Sequence, residues 1–168
     1  MKGRFFALPA ALLLLTLPAY GQATGPAGIR ALDFLIGSWT CAHTVGDFSG
    51  TYSTVFTRVL GDRWIRQIYA FPADERRAAV QGDFLIGYDP RNQRWLRTGA
   101  MSDGLYFSMV GTQRGNAWYY GYVLPGTAGS AVYTKKSDSE YTVDGPEYPE
   151  NGKMVTEHHR CTKTEARS

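Results

Sequence analysis

Long apolar runs, cysteines, histidines and catalytic signatures are all scarce in this 168-residue chain. The one extended apolar run, Phe5 to Leu17, is shorter than the ~20 residues a spanning helix needs, and no later segment approaches that length. No membrane span is expected. The run follows a basic start, Met1-Lys2-Gly3-Arg4. It precedes Pro18 and the small-residue stretch Ala19-Tyr20-Gly21-Gln22-Ala23, a suitable setting for signal peptidase. Residues 1–23 are therefore expected to be a signal peptide, 24–163 one folded domain and 164–168 a polar tail, in a secreted or periplasmic protein. No cysteine stands beside the cleavage point, so a lipid anchor is not expected. The formal charge is +3, and losing Lys2 and Arg4 would bring it to +1, so a pI near 8.9 argues little for nucleic acid.

Catalytic templates are missing as well. There is no Gly-x-Ser-x-Gly elbow, no His-Glu-x-x-His, no phosphate-binding glycine loop and no Cys-x-x-Cys. Arg91, Arg94 and Arg97 recur every third residue, and strand alternation sets Arg94 opposite the other two. These arginines, with the pairs Arg76-Arg77 and Lys135-Lys136, are read as solvated faces. No catalytic residue, cofactor or metal is expected.

Leucine is sparse beyond residue 23, whereas Tyr, Trp, Phe, Thr and Val are plentiful, a composition suited to pleated, half-buried surfaces. One helix is expected near the start, where Ile29, Leu32 and Leu35 or Ile36 have helical spacing between Pro26 and Gly37. Ten alternating segments follow: 38–45, 51–60, 63–71, 81–88, 94–101, 105–112, 117–124, 130–136, 141–144 and 153–163. Turn signals such as Leu60-Gly61-Asp62, Asp89-Pro90-Arg91-Asn92 and Ser102-Asp103-Gly104 separate them, and 72–79 and 145–149 are read as longer loops. The pattern predicts an all-β fold, a closed antiparallel up-and-down barrel that removes exposed edges, with a two-sheet sandwich as the alternative.

The stretch Leu32-Asp33-Phe34-Leu35-Ile36-Gly37-Ser38-Trp39-Thr40-Cys41 resembles the helix and Gly-x-Trp first strand of calycin-like barrels, including lipocalins and nitrobindins. With Leu60-Gly61-Asp62-Arg63-Trp64-Ile65 and Gly87-Tyr88-Asp89-Pro90, it is similar to an uncharacterised family of bacterial secreted domains expected to form such barrels. The resemblance spans most of Leu32 to Lys163 and implies a fold without an activity. Trp39 is expected to plug one end of the barrel. The stretch Met154 to Arg160 is similar to the terminal nitrobindin strand, where a histidine ligates haem, but the cysteines and earlier strands depart from that pattern.

Cys41 falls in the first strand and Cys161 in the last, neighbours in a closed meander, so a disulfide across the seam is expected in an oxidising compartment. His43 and His159 each stand two residues from a cysteine on the same strand face, which leaves a zinc set as the alternative. Glu157 shares the face of His159 and Cys161 and could pair with His43 or His159. His158 points the other way.

The aromatic supply is the strongest functional signal. Trp39, Tyr52, Phe56, Trp64, Tyr119 and His159 are the candidate ligand-binding residues, and Trp118-Tyr119-Tyr120-Gly121-Tyr122 carries aromatics on both strand faces. The reading is an exported binding protein for a hydrophobic small molecule. The alternatives are a structural or accessory subunit that binds a protein partner or a second copy through an aromatic outer face, and a barrel isomerase, cyclase or haem protein.

Overall fold

Ten antiparallel strands and a short helical lead account for residues 27–75, 78–124, 129–150 and 152–164, the parts described in a computed structural model. The expected signal peptide, the Arg76-Arg77 pair and the last four tail residues lie outside the described residues. The strands are β1 (Gly37–Val45), β2 (Phe48–Val59), β3 (Trp64–Phe71), β4 (Val80–Asp89) and β5 (Arg94–Met101). They continue as β6 (Tyr106–Arg114), β7 (Ala117–Leu124), β8 (Ser130–Lys135), β9 (Glu140–Glu150) and β10 (Lys153–Lys163). Each strand pairs with the next, and β10 returns to β1, so the sheet closes as an up-and-down barrel. Closure pairs every strand on both sides over at least part of its length, which removes the long free edges of an open sheet.

Period-two alternation decides which side chains enter the barrel. On β1, Trp39, Cys41 and His43 are buried and their neighbours exposed; on β3 the buried set is Ile65, Gln67, Tyr69 and Phe71. The expected helix is present but broken. One α-helical turn, α1 (Ala27–Arg30), is followed by a 3-10 turn at Asp33–Leu35. This lead caps one end: Ile29, Leu32 and Leu35 are buried, and the carbonyl of Leu35 accepts a 2.6 Å hydrogen bond from Trp39 Nε1. Arg58, ion-paired with Asp33, fastens the lead to β2. Trp39 packs edge-on against Tyr141, with ring centroids 4.9 Å apart, and almost no space remains at this end.

The main departure from expectation is β9. It runs on through residues 145–149, which read as a loop because of Gly145, Pro146 and Pro149. Among the described residues the pairing of β8 with β9 stops at Asp144, and beyond that point β9 pairs with β10 alone, a setting in which a strand tolerates proline. The register between β9 and β10 shifts between Thr156 and His158, which marks a bulge.

At the seam, Cys41 stands opposite Cys161 and His43 opposite His159. The two sulfurs are bonded, joining positions 120 residues apart, and both cysteines are fully buried inside the barrel. A crosslink over so long a loop removes much of the freedom of the unfolded chain, about 4–5 kcal/mol in the chain-entropy model. Native domains hold only ~5–15 kcal/mol in total. Replacing both cysteines by alanine is expected to lower the melting temperature by roughly 10–15 °C, read by calorimetry. An unchanged melting temperature would show that strand pairing alone holds the seam.

Candidate functional site

The half of the barrel away from the helical lead is hollow. Its cavity measures about 170 Å³, and Tyr52, Gln67, Tyr69, Arg97, Tyr133 and His159 are among its lining residues. Aromatic side chains, several of them tyrosines, form much of the wall. Tyr52 stacks on Phe71 at 4.2 Å, and Phe84 lies between Tyr69 at 5.2 Å and Phe107 at 4.4 Å. Gly82, opposite Tyr69 across the β3–β4 ladder, makes room for that ring; a Cβ there would come within 2.4 Å of it.

Two polar groups interrupt this wall. The first is Arg97, placed on the inner face of β5 between Ile86 and Met109 by the registers of β4 and β6. Only 4% of it is exposed. Its guanidinium lies 4.3 Å from the Phe84 ring centre and 4.8 Å from that of Phe107. Nε and Nη2 donate to Gln67 Oε1, at 3.4 and 3.0 Å, and Nη1 approaches Met109 Sδ at 3.9 Å. Among the described residues, no carboxylate pairs with it. Burial weighs against its charge, yet a guanidinium is basic enough to stay protonated at every ordinary pH.

Gln67 is itself held in place. Its Nε2 donates to Thr54 Oγ1 at 3.3 Å, and the Thr54 hydroxyl donates to the Ile68 carbonyl at 3.0 Å. The hydroxyl hydrogen is thus committed to Ile68, so the Gln67 amide nitrogen must face Thr54 and its oxygen must face Arg97.

The second polar group is a cluster at the seam. Glu157 Oε1 lies 2.7 Å from His43 Nε2 and 3.3 Å from His159 Nε2, and the two imidazoles stack with centroids 4.8 Å apart. The in-register ladder places it: one step beyond the disulfide come His43 and His159, and Glu157 stands opposite Val45 at the next step. The short contact to His43 lies off the line of a ring N–H bond, so it is a close carboxylate–imidazole contact rather than a linear hydrogen bond. Burial pushes the Glu157 carboxyl upward, but the two histidines outweigh it and hold the group far below the usual carboxylate range. The three ligand atoms lie within 4.8 Å of one another, so among the described residues this cluster has the donors and spacing to hold a divalent ion or relay a proton.

The six residues singled out in the sequence are divided by the structure. Tyr52 and His159 line the cavity. Trp39 and Phe56 are buried in the packed half, where both meet Tyr141. Trp64 lies on the outer wall across Gly87, where a Cβ would come within 2.3 Å of its ring. Tyr119 also faces outward, 42% exposed, with Arg114 over its ring at 5.4 Å. Arg97 and Gln67 were missed. The every-third-residue arginine pattern read as solvated, and the alternation of Trp95, Arg97 and Gly99 was the signal that put Arg97 inside. His158 lies outside the barrel, paired with Asp144 at 2.8 Å.

No family model matches the chain, and no curated protein matches it either.

The seam cluster predicts a pH dependence. Folded Glu157 binds its proton less readily than the unfolded chain, whose carboxyl titrates near 4.5. Its stabilisation is therefore complete above that pH and is lost as the pH falls below it. Glu157→Gln should flatten the fall of melting temperature below about pH 4.5. An acid limb as steep as that of the parent protein would show that the cluster contributes nothing.

Proposed function

We propose that this barrel is an exported binding protein for a small, largely apolar molecule held in its interior. The supporting observation is the hollow itself. The barrel has rings enough to pack one end completely, yet it leaves about 170 Å³ open at the other. A cavity of ~150 Å³ takes up benzene, which sets the size class. The intramolecular disulfide is compatible with an oxidising, extracytoplasmic compartment.

Haem does not fit this reading. A porphyrin exceeds the cavity several-fold, and His159 already contacts Glu157 through Nε2, the ring nitrogen on the cavity cluster. Docking through an outer aromatic face is the second reading. Trp118 and Tyr120 are buried, so its support comes instead from exposed Leu105 and Tyr106 at the start of β6 and Val123 and Leu124 at the end of β7.

Mass spectrometry of protein recovered from the exported fraction of its host tests the first reading. The expected chain begins at Thr24, and gentle denaturation should release a stoichiometric small molecule. An uncleaved chain would defeat export, and an interior occupied by solvent alone would shift the weight to the docking reading. Added haemin should give no sharp Soret band; a stoichiometric band abolished by His159→Ala would overturn the ligand class.

A further inference from the structure

The polar groups around the cavity are unbalanced. A guanidinium has five N–H donors. Three of those on Arg97 are directed at Gln67 and Met109, which leaves two without a partner among the described residues. Tyr69, Tyr122 and Tyr133 also line the cavity, and their hydroxyls have no protein partner among the described residues. Burial pushes the phenols of Tyr69 and Tyr122 upward, so both remain neutral O–H groups able to donate. Glu157 is the acid on this wall, and His43 and His159 already engage it. The cavity therefore presents a fixed cation and idle donors without a free carboxylate to meet them.

A buried, unpaired cation is among the costliest features a protein interior can carry. Two arrangements keep it tolerable here. Phe84 and Phe107 offer their ring faces to the guanidinium, and Gln67, locked by Thr54, turns a neutral oxygen toward it. Neither supplies a counter-charge.

We infer that Arg97 is the anion-binding subsite of the cavity and that the ligand is a small carboxylate with an aromatic or short apolar body. This rests on the interior-binding reading above and names the ligand class. The guanidinium would pair with the carboxylate, whose second oxygen can accept from the nearby phenols. The aromatic wall would cover the apolar body. At about 170 Å³ the cavity suits a single-ring acid and is too small for a long-chain lipid.

The test uses three probes of nearly equal shape: benzoate, benzyl alcohol and benzylamine, titrated calorimetrically into the disulfide-intact protein. Benzoate should bind about tenfold or more tightly than benzyl alcohol, the factor that one hydrogen bond to a charged group supplies. Benzylamine should bind most weakly. Arg97→Met should remove the preference for the acid without lowering the melting temperature, because an apolar side chain of similar volume replaces an uncompensated charge. Equal affinity for acid and alcohol, or a preference that survives Arg97→Met, would overturn the inference while leaving interior binding intact. Failure of all three probes would overturn interior binding itself. Should Arg97→Met not fold, the Arg97 Nε–H resonance of the parent protein gives the answer: it should shift on saturation with benzoate, and a stationary resonance would sink the assignment.

Discussion

In-register closure of the first strand onto the last is the constraint on which this molecule depends. Once Cys41 lies opposite Cys161, alternation fixes every inward position along β1 and β10: Trp39 toward the capped end, the sulfurs next, then His43 beside His159. A slip of one residue would turn this column outward and expose the disulfide and both histidines. The eight strands between follow because each pairs with its predecessor in chain order and has one face to bury.

That closure divides the interior into two regimes. Near the helical lead, tryptophan, tyrosine and leucine pack to completion, so stability resides there and along the crosslinked seam. Toward the other rim the barrel gives up packing and places its charged groups. Glu157 is matched by the histidines of the seam, and its charge is locally accounted for. Among the described residues, Arg97 meets ring faces, an amide oxygen and the Met109 sulfur, and no carboxylate. The contrast between an acid in contact with two imidazoles and a base with no carboxylate beside it is what the proposed binding site rests on.

The architecture was largely legible because its determinants are local. Turn chemistry and two-residue alternation marked ten strands, and three of them, β5, β7 and β10, begin and end where the sequence placed them. The disulfide was legible because the meander implies that its ends meet. The extension of β9 was not, since Pro146 and Pro149 carry a loop signal unless one knows that β8 has already ended. The site was legible only in part. Alternation relative to the cysteines placed His159 on the inner face, and the aromatic inventory supplied Tyr52. Neither could tell how deep a side chain sits, so Trp39 and Phe56 in the packed half looked equivalent to residues at the hollow. Arg97 was hidden by composition: an arginine among arginines reads as surface, although two-residue alternation sets it on the same face as Trp95, which the barrel buries.

The account's central claim is that the hollow and its unpaired guanidinium form one prepared site. A crystal structure of the protein soaked with 4-bromobenzoate, using the anomalous signal of bromine, addresses that claim most directly. The account predicts a bromine peak inside the barrel among the aromatic rings, with the carboxylate against the Arg97 guanidinium. A bromine peak confined to the outer wall, or an interior ligand whose carboxylate points away from Arg97, would contradict it.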